Sequence, residues 1–312
     1  MSTCTAVSRD LDEPLSGTAP TARTWLLLEQ PGPWGAKALV SSHLDPAIGR
    51  ALEAAARNTG VRVVLIRRPG RHADLGSPTV RRVYAAHTVP GRVWLRSATI
   101  SDPARLLDLD FAALGRGDHR GFDTALQGRP HHGAPLALVC TNGKRDRCCA
   151  LLGRPLAAGL ATSGVDGVWE VTHLGGHRFS PTVLVLPHGY AYGRAEAHTV
   201  EQALHGVREG RIVLEGCRGS SAWERPGQAA ELAVRAATGE DAAEALGVVR
   251  TEGRAPRWEV TVAHADGRHW RVVVAQSASA PPRPESCGAS VLGAPGRMDV
   301  VAVRELTAAL AG

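Results

Sequence analysis

The stretch PLALVCTNGKRDRCCALLGRPLAAGLATSG (135–164), followed by VWEVTHLGGHRF (168–179), decides how this chain reads. PLALVC is a short apolar run that suits a buried strand and stops at Cys140. TNGKRDRC is a polar loop, and CALLGRPLAAGLATSG reads as a helix closed near Gly164. VWEVTH is a second strand, running into the glycine-bearing loop around HLGGH. Beyond it TVLVLP and YAYGR flank a His-Gly turn as a hairpin, and AEAHTVEQALHGVREG reads as a helix. The order β-α-β-β-β-α sets the Cys-bearing and His-bearing loops after strand ends.

Working outward, WLLLE (25–29), VRVVLIRRP (61–69), RRVYAAHT (81–88) and RVWLRSA (92–98) are apolar or alternating runs bounded by Gly and Pro, the signature of strands. ALEAAARNTG and DPARLLDLDFAAL have helical period. Residues 25–128 therefore read as an N-terminal α/β region, and residues 129–208 as the unit that carries the chemistry. Residues 209–312 read as a small α+β extension. It comprises a helix at RPGQAAELAVRAATG, a hairpin around Asp266-Gly267, a Pro-rich loop and a final helix from about Val300. Residues 1–24, rich in Ser, Thr, Pro and Asp, are expected to be a flexible tail in which Cys4 is disordered. No internal repeat is visible.

At 312 residues the chain is long enough to bury a core without staples. No stretch approaches the roughly 20 consecutive apolar residues of a membrane span, and no signal peptide is visible, so the expected location is cytoplasmic. The net charge of +6 comes without a clustered basic helix or interleaved aromatics, which argues against nucleic-acid binding. Three of the six cysteines, Cys140, Cys148 and Cys149, fall within ten residues. In a reducing compartment such clustering points to metal or redox chemistry rather than a disulfide framework. Cys217 and Cys287 are isolated in sequence and read as free thiols.

Two thiolates, Cys140 and Cys149, and two imidazoles, His173 and His177, suit zinc or an iron–sulfur centre. Gly175 and Gly176 argue against a helix through HLGGH and let the backbone pass close to a bulky cofactor and take unusual angles. Zinc sites usually space their Cys pairs two to four residues apart, and eight residues intervene here, which disfavours zinc. A thiol-disulfide oxidoreductase using Cys148-Cys149 or Cys140-Cys149 would lack the usual Cys-x-x-Cys and would leave HLGGH without a role. A zinc-stabilised binding module is the remaining alternative.

CTNGKRDRCCALLGRPLA and WEVTHLGGHRFSPTVLVLPHGYAYGR, with WLLLEQPGPWG before them and CRGSSAWERPGQAAELAVR after, resemble the sucrase/ferredoxin-like family. That resemblance implies a thioredoxin-like ferredoxin fold with a 2Fe–2S cluster held in a C-x₈-C … H-x₃-H pattern. Carried onto this chain, the ligands fall on Cys140, Cys149, His173 and His177, with Cys148 a neighbour. The family's common His after C-T is Asn142 here, and its common Ser before the first His is Thr172. Neither departure touches an implied ligand. Neutral imidazoles in place of two thiolates raise the expected potential above the roughly −400 mV of an all-Cys plant-type centre. Their second nitrogens make the expected redox chemistry proton-coupled. Lys144, Arg145, Arg147 and Arg178 are candidates to stabilise the thiolates or dock an acidic redox partner, or else form a solvated loop in which Asp146 pairs an Arg. The expectation is an electron carrier served by partner proteins. The sucrase half of the name is not supported, because no motif sets up the paired carboxylates that glycosidases normally use.

Overall fold

The computed structural model describes residues 3–70 and 79–306. The N-terminal part comprises α1 (Cys4–Asp10), β1 (Thr24–Glu29), α2 (Pro46–Ala56), β2 (Val61–Arg67), β3 (Arg81–His87) and β4 (Trp94–Ile100). Short helices α3 (Phe111–Gly115) and α4 (Arg120–Leu126) and the two-residue β5 (Arg129–Pro130) follow. The middle part comprises β6 (Leu136–Cys140), α5 (Arg147–Thr162), β7 (Val168–Val171), β8 (Val183–Leu186), β9 (Tyr190–Tyr192), α6 (Ala197–Arg208) and β10 (Cys217–Ser220). The last part is α7 (Arg225–Thr238) and then β11 (Leu246–Arg254), β12 (Arg257–His264), β13 (His269–Ala278) and β14 (Gly296–Leu306).

One mixed sheet of ten strands, in the order β10-β9-β8-β6-β7-β2-β1-β3-β4-β5, joins the first two parts. It divides into halves of the same local plan. β1 and β2 are parallel across α2, and β6 and β7 are parallel across α5; each pair is extended by an antiparallel hairpin. The halves meet where β2 and β7 pair antiparallel, Ile66 opposite Val171 and Arg67 opposite Glu170. A duplicated topology is thus present where the sequence shows no repeat. The segment boundaries near 128 and 208 fall inside this single sheet.

The junction holds a buried ion pair. Arg67 reaches Glu170 at 2.7 Å with both side chains about 5% exposed or less, Thr141 Oγ1 donates to the same carboxylate, and the guanidinium stacks on Trp34. On one sheet face Trp25, Leu27, Ile66, Leu138, Cys140, Trp169 and Val171 form a continuous core, closed from above by Ala19, Ala22 and Leu174.

Residues 3–23 are therefore not a loose tail. Cys4 and Ser8 are buried, and the buried Glu13 carboxylate receives Arg178 at 2.8 Å and Arg283 at 3.1 Å. Those two cations fix the segment in a way no local sequence signal reveals.

The extension is a four-stranded antiparallel meander, β11 to β14, whose inner face (Leu246, Val260, Val262, Trp270, Val272, Val274) packs on Ala229, Ala230 and Val234 of α7. α7 is tied to the large sheet by a fully buried triad. Glu231 accepts from both Arg235 and Tyr190 at 2.6 Å, and Arg235 donates to Tyr190 at 2.9 Å. The helix expected from about Val300 is instead strand β14, paired with β13 from Gly296 to Leu306; residues 307–312 lie outside the described ones. The helical period of DPARLLDLDFAAL breaks at Leu109, because Asp110 caps a separate short helix by accepting from the Ala113 N–H.

Candidate metal centre

Cys140 ends β6, and Cys149 lies in the first turn of α5, which begins at the cap Asp146. The helix packs onto the strand end unusually closely: a Cβ on Gly153 would stand 2.1 Å from the Cys140 carbonyl oxygen. This close approach brings the two sulfurs together. His173 follows β7, and its Nδ1 lies 4.0 Å from both the Cys140 and Cys149 sulfurs. The ligand atoms of these three residues all lie within 4.8 Å of one another.

His177 stands outside that set but beside it, its ring centroid 5.3 Å from that of His173. Its Nε2 donates to the Glu285 carbonyl at 2.7 Å, which leaves Nδ1 as the atom with the free lone pair. That Nδ1 is buried with no hydrogen-bond partner among the described residues. A ligating His commonly donates its other N–H in just this manner.

The loop between them is held by glycine and arginine. Gly176 has φ +70°, and a Cβ there would lie 2.0 Å from the Arg218 guanidinium. The close contact at Gly176 is with Arg218, a protein side chain and not a cofactor, and Arg218 donates to the carbonyls of Gly175 and Thr18. Arg218 is buried, and burial lowers its pKa to about 9. Arg62 donates to the His173 carbonyl at 2.8 Å and is likewise lowered by burial. Both cations are close enough to Cys140 to feel its charge. Sequence reading missed them, since neither adjoins a motif Cys or His.

The Cys140 thiol is held well below its usual range by the hydrogen bond from Cys149, against burial, with His173 assisting. Cys149, as donor to that thiolate and buried itself, is pushed up. Burial lowers the His177 pKa, against the pull of Asp146, and so favours its neutral form.

Lys144, Arg145 and Arg147 are exposed, whereas Asp146 is buried. Among the described residues Asp146 pairs none of these cations; it accepts from the N–H groups of Cys148 and Cys287 at 2.9 Å each, and His177 Nε2 lies 3.6 Å away. Arg178 turns away to Glu13. Cys148 also turns away from the Cys140 pair, toward Cys4 and Cys287, so Cys4 is not disordered, and Cys287, isolated in sequence and a free thiol, has two sulfurs beside it. The hydrogen bond from Cys4 lowers the Cys148 thiol to about 5.

Among the described residues two groups could therefore hold a metal ion, Cys140, Cys149 and His173 in one and Cys4, Asp146, Cys148 and Cys287 in the other. A family model described as sucrase/ferredoxin-like matches residues 15–219, which contain the first group whole and the second only in part. The chain belongs to the sucrase/ferredoxin-like family. No curated protein and no solved structure gives a match to it. No helix of the described residues is long and apolar enough to cross a membrane.

Proposed function

We propose that this chain is an electron carrier that holds a 2Fe–2S cluster through Cys140, Cys149, His173 and His177. The observation that carries the reading is the donor set: two thiols and one imidazole Nδ1 converge, and the Nδ1 of His177 is buried beside them without a partner among the described residues. When bound, such a cluster accepts and releases one electron at a time. The chain supplies the rest. Glu285 fixes the tautomer of His177, Ser180 donates to the Cys149 sulfur, and Arg62 and Arg218 place two positive charges where the reduced state adds a negative one. The sheet order β7-β6-β8-β9, with β6 and β7 parallel, supports a thioredoxin-like reading of the middle half. Exposed Lys144, Arg145 and Arg147 form the docking side for an acidic redox partner. Cytoplasmic residence belongs to the same proposal, because thiols clustered for metal or redox chemistry suit a reducing compartment.

The test is iron, sulfide and zinc analysis with visible absorption on anaerobically purified protein. Two irons and two sulfides per chain, lost in Cys149→Ala and in His177→Ala, are expected. Zinc that is lost in Cys149→Ala, or a reducible Cys140–Cys149 disulfide without metal, would replace the reading by a zinc module or a thiol oxidoreductase.

A further inference from the structure

Three cysteines that sequence reading left unconnected meet beside the candidate cluster site. Cys4 comes from α1, Cys148 from the first turn of α5, and Cys287 from the loop that follows β13. Their sulfurs are separated by 3.5 Å (Cys4–Cys148), 3.5 Å (Cys4–Cys287) and 3.0 Å (Cys148–Cys287). An oxygen of the buried Asp146 carboxylate lies 3.9 Å from the Cys4 sulfur, and the four ligand atoms all fall within 4.8 Å of one another. Sulfurs on a tetrahedral zinc with bonds near 2.3 Å stand about 3.8 Å apart, so the triangle is close to one face of such a tetrahedron.

From this geometry we infer a second metal site, in which Cys4, Cys148, Cys287 and Asp146 bind one zinc ion. A disulfide accounts for the arrangement less well, since it would join two of the sulfurs and leave the third buried against them. Soft thiolates with one carboxylate select zinc over hard cations. Three thiolates and a carboxylate exceed the ion's charge by two. Lys144, Arg145 and Arg147 border the pocket of about 580 Å³ that opens onto Cys4 and Cys287, and they offset that excess.

The site is a staple. It joins the N-terminal helix and the 279–295 loop to α5, which is itself packed into the core. Both outer segments touch His177: Thr5 Oγ1 donates to its backbone carbonyl at 3.1 Å, and Glu285 receives its Nε2. The ion would thereby hold in place the residue that the cluster reading needs, although the zinc site itself uses none of the four proposed cluster ligands.

The experiment measures zinc and iron on the same full-length protein, purified anaerobically from zinc-supplemented cells and dialysed against a mild chelator. One zinc per chain is expected in the wild type. Cys287→Ser should lower it about tenfold or more with a clearly smaller loss of iron, since His177 loses only an indirect support, and Cys140→Ser should remove iron while zinc is kept. Cys287 is only half buried, so this variant folds more safely than Cys4→Ser; far-ultraviolet circular dichroism confirms it. Cobalt(II) loaded in place of zinc should show thiolate-to-metal charge transfer that Cys287→Ser abolishes. Wild-type zinc below a tenth per chain, zinc unaffected by Cys287→Ser, or a Cys148–Cys287 disulfide found by thiol counting would overturn the inference. If no iron is present but zinc still follows Cys287, the cluster reading fails alone and the zinc site stands.

Discussion

The two halves of the large sheet share a plan and differ in what they place at the strand ends. In the N-terminal half β1 ends at Glu29 and the buried Gln30, and α2 starts at the cap Asp45. In the middle half β6 ends at Cys140 and α5 starts at the cap Asp146. No cysteine occurs between Cys4 and Cys140, so the first half has the scaffold without the thiolates. Its face toward α2 and α3 is filled by Leu26, Leu28, Leu52, Val63, Leu65 and Phe111, a purely apolar solution. The difference teaches that the fold supplies only the position, a strand end facing a helix start. The proposed chemistry rests on Cys140, Cys149, His173 and His177, grafted at and beside that position.

The largest expected effect separates the halves outright. Cys149→Ala should remove essentially all iron and visible absorption, whereas Glu29→Gln at the matching strand end should remove none; metal analysis and absorption spectra check both. Equal losses in the two variants would erase the distinction.

Second in size is the seam between them. Arg67→Met removes the guanidinium that pairs with Glu170 across the seam, and breaking a buried pair costs at most about 3–5 kcal/mol. Urea denaturation should show a lowered midpoint, with partial recovery when Glu170→Gln is added.

The third effect belongs to the N-terminal half. His87 is buried, its Nδ1–H donates to Thr24, its Nε2 has no partner among the described residues, and burial lowers its pKa to about 4. The unfolded chain takes up that proton near 6.5, so stability is full above about 6.5 and falls as the pH drops to about 4. The loss from this group is at most about 3 kcal/mol. In His87→Gln this part of the acid sensitivity should vanish, as denaturation midpoints measured at several pH values will show.

The smallest effect tunes the other half. Arg218→Met should lower the midpoint potential by on the order of 50 mV, while the exposed Arg145→Met should change it far less. Spectroelectrochemical titration resolves the two.

Much of this was legible in the sequence because it is local. Strands β1, β2, β3, β4, β6 and β7 carry apolar runs bounded by Gly and Pro, and the β8–β9 hairpin shows its turn. The candidate ligands were equally plain, since Cys140, Cys149, His173 and His177 lie within 38 positions of the chain. What escaped is what only tertiary pairing fixes. β14 is mostly exposed and owes its form to hydrogen bonds with β13, so its pattern VVAVREL passes for a helix. Cys4 and Cys287 are 283 residues apart and meet through Glu13, Arg283 and Asp146, which no window of sequence joins. Arg62 and Arg218 reach the site from a strand beyond the motif and one after it.

The most direct test of the central claim is pulsed electron paramagnetic resonance on the anaerobically reduced protein. The account predicts a 2Fe–2S signal coupled strongly to two imidazole nitrogens, one of which disappears in His177→Cys. A signal with no such nitrogen coupling, or none at all after reduction, would contradict it.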